Sequence, residues 1–452
     1  MTVLAYLIGV LVFVLGLGLS IAVHELGHLI PAKHFGVRAP QYMIGFGPTV
    51  WSRTIGETEY GVKALPVGGY VRMIGMFPPR PEDEPGTTRT TASRFAQLAD
   101  EARKAEAEYL QPGDGNRVFY KLPVHKKLLV MLGGLAMNLI LASIMFGLVL
   151  MVHGVPTQEP GAEVATVSEC VVPASQATTT TTCRPDAQKT PAYLAGLRPG
   201  DVILSVDGTT VHGSADVGRL IRPRVGLATT LVIERGGSRL TLRATPIENT
   251  LPAVHADGSP VLGADGKPTY VDAGFLGVSS TDHVVVERQP VTALPGFVGS
   301  QVAGTASVLV GLPKAVVTAV TSSINGTPRP VDSPMSVVGV GRIAGEAVSG
   351  QLSGFSTIGD KVFFFVSLIG SLNIMLLIFN LIPLLPFDGG QAAGAVWEGV
   401  KRSWARLRGR PDPGFVDVAK ALPMTYAVSL VLILITVVFS AADLINPIKL
   451  GG

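Results

Sequence analysis

The sequence predicts a polytopic α-helical membrane protein of about four spanning helices, with a large α+β domain inserted outside the membrane. Three observations carry this. Of 452 residues 47% are apolar and 15% charged, against about 25% charged in ordinary soluble domains, and mean hydropathy is +0.42. Four stretches are long and apolar enough to cross a bilayer. Lysine and arginine gather in two of the loops around them. The net charge of +3 is too mild for a nucleic-acid binder, and no long basic block occurs. Nucleic acid is excluded as a partner.

The four spans are Val3 to Ile30, Leu128 to Val152, Val362 to Leu385 and Met424 to Ser440 with its apolar continuation. Ser20-Ile21-Ala22 resembles a cleavage site, but the first basic residue is Lys33, after the apolar run. A secretory signal needs its positive region before that run, so the first stretch reads as an uncleaved span. Lys33, Arg38, Lys121, Lys126 and Lys127 flank spans one and two, and Lys401, Arg402, Arg406, Arg408, Arg410 and Lys420 follow span three. By the positive-inside rule both loops are cytoplasmic. The termini and the long segment from about His153 to Asp360 then lie outside, in a cell-membrane protein.

Four regions follow: 1–152, 153–295, 296–360 and 361–452. Phe297 to Ile324 has apolar residues at helical spacing but is only mildly hydrophobic. An amphipathic segment on the membrane surface is expected there, not a fifth span. Ala92 to Leu110 is charged and alanine-rich, which predicts a solvated helix without chemistry.

Inside the external segment, Val164 to Ser168 reads as a strand, and a Thr-rich insertion follows. Pro191 to Gly208 then gives a short helix turning at Gly196, a strand through Val202, Leu204 and Val206, and a hairpin turn at Asp207-Gly208. Ala215 to Ile221 suits a helix, and Thr229–Glu234 with Arg239–Ala244 suit paired strands. The AGLxxGDxIxxxxG core resembles a PDZ domain in its bacterial form, over about 160–246. Cys170 and Cys183 are the chain's two cysteines. A bridge closing the insertion and two free thiols both remain open.

The chemistry centres on His24-Glu25-Leu26-Gly27-His28. Residues i and i+4 share one helical face, so both imidazoles can bind one metal ion. Glu25 is placed to take a proton from the attacking water. The alternative is two core histidines and a carboxylate satisfied by polar neighbours. Three ionisable groups within five residues of a span argue against it, because such groups are costly in lipid. A third ligand is needed, and Asp388 fits. Spans one and three both run inward, and His24 lies about 9 Å from the inner end at 1.5 Å per residue. Asn380 falls at similar depth, and Pro383 and Pro386 break the helix so that Asp388 can fold back.

HELGH in the first span with NxxPxxxxDG in a later one resembles the site-2 protease family of intramembrane zinc metalloproteases. The nearest branch is that of the sigma-E regulator protease, here with a single PDZ and an actinobacterial style of composition. Further matching segments are Gly45-Phe46-Gly47-Pro48, Pro66 to Met73, Gly133-Gly134 to Asn138, and Ser333-Pro334-Met335-Ser336. The resemblance implies one Zn2+ held by His24, His28 and Asp388, Glu25 as general base, and Asn380 holding the substrate backbone. It also implies a membrane-associated β-loop over Gly68 to Gly75, in which Gly69 and Tyr70 would meet substrate. The substrates implied are single-pass membrane proteins such as anti-sigma factors, cut near the cytoplasmic face. Asn138 and Asn373 are expected to bind helices together. Competing readings are clearance of signal-peptide remnants, an inactive PDZ scaffold, and a metal-binding transporter, for which four spans without repeats give little pathway.

Overall fold

The computed structural model of the chain describes residues 2–79, 94–171, 183, 187–255, 261–263, 267–352 and 357–448. It divides into two compact units, one of Met1–His153 with Gln289–Gly452, the other Gly154–Arg288.

The first unit opens with α1 (Thr2–His34), a helix of 33 residues. Its N-terminal half exposes Leu4, Leu7, Leu11, Leu15 and Leu19, a surface that suits lipid and not water. Two long antiparallel strands follow, β1 (Gln41–Ile55) and β2 (Thr58–Arg72). Both bend, so residues 41–44 pair on two sides, with 69–72 and with 59–62. Next come α2 (Arg94–Ala107) and α3 (Val124–Leu148), the latter extended by a π-helical turn through His153. The segment expected to be solvated is therefore docked at its end: the Glu106 carboxylate accepts from the backbone N–H groups of Met76 and Phe77.

The second unit is built on a sheet of β3 (Val155–Val167), β4 (Val202–Val206), β5 (Thr209–Thr210), β6 (Thr229–Arg235), β7 (Ser238–Ala244) and, further along, β10 (Val278–Glu287). The order is β10-β3-β4-β6-β7, with β5 on β4. Helices α4 (Pro191–Leu194) and α5 (Ser214–Ile221) cover a core of Val164, Ile203, Val206, Leu231 and Ile233, each fully buried. Strands β8 (Ile247–Pro252) and β9 (Tyr270–Phe275) form a separate pair. The unit is consistent with a PDZ domain. Its sheet is completed only at residue 287, beyond the 160–246 core read from the sequence, because β10 returns to pair with β3. Cys170 and Cys183 form a disulfide.

The first unit resumes with α6 (Leu294–Val310), α7 (Leu312–Asn325), α8 (Val337–Ser349), α9 (Ile358–Leu381), α10 (Asp388–Leu407) and α11 (Leu422–Ile445). Five helices among the described residues, not four, are long and apolar enough to cross a membrane: Val3–His34, Val124–His153, Val291–Val310, Ile358–Leu381 and Val418–Ile445. The fifth lies in the segment expected to rest on the surface. Glycine and proline lower its apolar density, which is why it read as amphipathic, yet it packs through Phe297 edge-on to Phe146 of α3. Asn373 of α9 donates to Ser20 Oγ of α1 at 2.9 Å, the helix-binding role expected of it. Asp443, near the end of α11, accepts from Arg329 and from both the N–H and hydroxyl of Ser336, which explains the Ser333–Ser336 segment.

In the second unit, Asp201 of the AGLxxGD segment is 1% exposed. It accepts from Arg235 at 2.6 and 2.7 Å and from the Arg198 N–H at 2.8 Å. Burial alone would raise its pKa, but Arg235 and the Arg198 N–H together hold it below the ordinary 3.8. A depressed carboxylate stabilises the fold above its unfolded pKa, and that stability is lost as pH falls through the folded value. Asp201→Asn is therefore expected to cost about 2 kcal/mol at neutral pH. The gap to wild type should close below the ordinary carboxylate range. Thermal melts of residues 154–288 across pH check this, and a gap independent of pH would remove the ion pair as its cause.

Candidate metal centre

His24 and His28 stand one turn apart on α1, and their neighbour Glu25 faces the same cavity. All three are buried, at 7%, 5% and 9% exposure. What makes room for the rings is a close crossing of α1 and α3. A Cβ on Gly27 would strike the Gly133 carbonyl and lie 2.8 Å from Gly134 Cα. One on Gly134 would collide with His28 Nε2 and lie 2.8 Å from His24 Cε1. The glycines of HELGH and of Gly133-Gly134 thus let two backbones touch, and one of them clears the space the imidazoles fill.

Asp388 arrives from the other side of the chain. Helix α9 ends at Leu381, a tight turn carries Pro383 and Pro386, and Asp388 is the first residue of α10. The following glycines make the turn possible. A Cβ on Gly389 would lie 2.6 Å from the Leu381 carbonyl, and one on Gly390 would lie 2.5 Å from Leu385 N.

Three donor atoms converge. His28 Nε2 lies 3.3 Å from His24 Nε2, and Asp388 Oδ2 lies 3.1 Å from each. Ligands bound at about 2.05 Å in a tetrahedral zinc site are about 3.3 Å apart, so the triangle fits that ion. The outer contacts agree. His28 Nδ1 donates to the Val130 carbonyl at 2.8 Å, which leaves Nε2 with a free lone pair. His24 Nδ1 lies 3.0 Å from the Asn138 amide nitrogen, while Asn138 Oδ1 is buried without a partner. Amide oxygen and nitrogen are assigned by their network. Turned over, Asn138 accepts from His24 Nδ1–H, satisfies the orphaned oxygen and frees Nε2 for a metal. Asn138 therefore acts on the site itself, beyond the helix binding expected of it. The sequence signal was available: a polar amide in the first α3 turn past two glycines.

A cavity of about 360 Å3 adjoins these groups, lined by Gly69, Tyr70 and Val71 on one wall and by Asn380, Asp388 and Gln391 on another. The β2 wall is close. A Cβ on Gly69 would lie 2.8 Å from Ile21 Cγ2 and 3.2 Å from Glu25 Cγ, so glycine is what lets the strand approach the carboxylate. Tyr70 stacks on Phe46 at 6.2 Å between ring centres. All seven residues proposed from the sequence (His24, Glu25, His28, Asp388, Asn380, Gly69 and Tyr70) border this one cavity. Gln391, one turn beyond Asp388 on α10, was not singled out from the sequence.

Partners that orient a ligating histidine commonly matter by about 10–100-fold in metal affinity. Asn138→Leu is expected to weaken zinc by that order while the protein remains folded, and Asn138→Asp, which still accepts from Nδ1–H, to retain it. Titration against a competing chelator measures both.

Comparison with known proteins gives the same answer. Peptidase family M50 matches residues 12–411. The chain is 31% identical over 450 residues to the zinc metalloprotease Rip1 of Mycobacterium bovis, covering 98% of this chain and 99% of that protein. It is 30% identical over 452 residues to Rip1 of Mycolicibacterium smegmatis, covering 98% of each. With the metalloprotease MmpA of Caulobacter vibrioides it shares 26% identity over 395 residues, 85% of each. The chain belongs to peptidase family M50 and is a multi-span membrane zinc metalloprotease.

Proposed function

We propose that this protease cuts peptide bonds within or beside the transmembrane segments of single-pass membrane proteins, and that it releases a signalling fragment such as the cytoplasmic domain of an anti-sigma factor. The carrying observation is the 3.1–3.3 Å triangle of His24, His28 and Asp388 beside Glu25, in a cavity walled by a strand and an amide. These three residues would hold the zinc, which would supply Lewis acidity toward the scissile carbonyl and the attacking water. Glu25 takes the proton of that water and passes it to the leaving nitrogen. Its carboxylate shares the cavity with Val71, and the absence of a side chain on Gly69 lets β2 lie close beside it.

A helical substrate shields its own carbonyls, so it must open before it is cut. Residues 69–72 of β2 pair with 41–44 and have no second strand partner among the described residues. An opened segment can add to that edge, with Gly69 and Tyr70 along it and Asn380 opposite, whose amide both donates and accepts. The basic loops support an active site near the cytoplasmic face. The Cys170–Cys183 bridge supports an oxidising, extracytoplasmic location for the PDZ unit.

Glu25→Gln is expected to abolish cleavage of a membrane-anchored reporter while zinc content stays at one per chain. Near-normal turnover would sink the assignment of the base. Orientation is tested separately. A cysteine at position 101 is expected to be shielded from an impermeant thiol reagent in intact cells, and one at position 213 to react. The reverse labelling would invert the topology.

A further inference from the structure

Helix α10 has two unlike faces. Ala392, Ala395 and Ala405 are buried together with Glu398. On the other side Val396, Trp397, Val400, Trp404 and Leu407 are 50–84% exposed. At 3.6 residues per turn these five fall within an arc of about 100°, so they form one stripe. A contiguous stripe of two tryptophans, two valines and a leucine marks an interaction surface.

Its chemistry points to one occupant. Lys401, Arg406 and Arg410 flank or follow the stripe and have no carboxylate partner among the described residues. Arg408 lies over the Trp404 ring, 4.3 Å from its centre. In the chain α10 runs between Ile358–Leu381 and Val418–Ile445, both long and apolar enough to cross a membrane. Both its ends are thus tied to the bilayer boundary. Tryptophan favours the headgroup level, and an apolar face bordered by basic residues suits an anionic lipid interface. The opposite face is fixed to protein. Lys127 of α3 donates to both Glu398 oxygens at 2.9 and 2.8 Å, and Glu398 also accepts from the Val416 N–H at 3.2 Å.

We propose that the Val396–Leu407 stripe, with Lys401, Arg406 and Arg410, docks on an anionic phospholipid surface, and that this contact holds Asp388 at the depth of His24 and His28. The second half rests on the metal-site reading above; the first does not. The two histidines belong to a spanning helix, whose depth the bilayer sets. Asp388 is the one donor outside the spans, so its depth is that of α10. Lipid on one face and the Lys127–Glu398 pair on the other seat this helix between them.

The test uses the full chain in phosphatidylcholine vesicles with and without phosphatidylglycerol. Trp51→Phe leaves Trp397 and Trp404 as the chain's tryptophans. Their fluorescence is expected to be quenched by brominated acyl chains, and unquenched tryptophans would overturn the docking. Phosphatidylglycerol is expected to raise cleavage of a membrane reporter about threefold or more. The triple variant Lys401→Gln, Arg406→Gln, Arg410→Gln should lose that rise and keep the rate seen in phosphatidylcholine alone. High salt should remove the rise from the wild type as well, which gives a reading even if the triple variant does not fold. A rate indifferent to phosphatidylglycerol, or a rise that survives in the variant, overturns the coupling to the site. Quenched tryptophans together with full zinc retention in Asp388→Asn would leave the docking standing and remove the metal reading.

Discussion

The metal centre depends on a place where two helix backbones touch. Membrane helices have no hydrophobic drive toward each other, since lipid is as apolar as their side chains, and close contact of small residues takes its place. Gly27 on α1 meets Gly133 and Gly134 on α3 with no room for a Cβ on any of the three. Because the axes come this near, the Val130 carbonyl reaches His28 Nδ1 and the Asn138 amide reaches His24 Nδ1. One crossing therefore packs the helices and orients both rings. A wider crossing would leave two imidazoles in an apolar surround with their outer nitrogens unpaired.

Charge elsewhere in the first unit follows the same economy. Three buried ion pairs sit where helices end or loops return: Arg38 with Asp114, Lys127 with Glu398, and Arg329 with Asp443. Each has further hydrogen bonds on its carboxylate, from Gln111, Val416 and Ser336 respectively. Buried pairs of this kind add little net stability, since desolvation offsets much of their attraction. Removing one partner is costly, so they fix relative position. That is what a site assembled from distant parts of the chain requires, with 360 residues separating His28 from Asp388.

Much of this was legible in the sequence. The i, i+4 histidines on an apolar run, the Pro-interrupted turn before Asp388 and the Gly-Asp core of the PDZ each have a local physical cause. Where the cause is long-range, the sequence was silent or misleading. Helix α6 read as a surface segment because its glycines and prolines dilute its apolar density, although it is long and apolar enough to cross a membrane and packs on α3. Strand β10 lies more than thirty residues past the apparent end of its domain and is defined by its partner β3. Asn138 read as a helix tie because nothing local says which atom of which ring it will face. The place of Gln391 in the cavity wall likewise appears only once α10 is set beside α9. The disulfide stood open because spacing alone does not say whether two thiols meet.

That disulfide bears on how the enzyme acquires its metal. With Cys170 and Cys183 joined, the chain holds no free thiol. Thiolates are the soft ligands that draw zinc, copper(I) and related ions most strongly. A newly made chain whose cysteines have already been oxidised offers an incoming ion no thiolate, and its remaining sulfur donors are methionine thioethers. Mismetallation by thiophilic ions then has no thiolate to start from, and the sulfur that an oxidant or a soft ion meets at the cavity is that of Met73, Met76 and Met131.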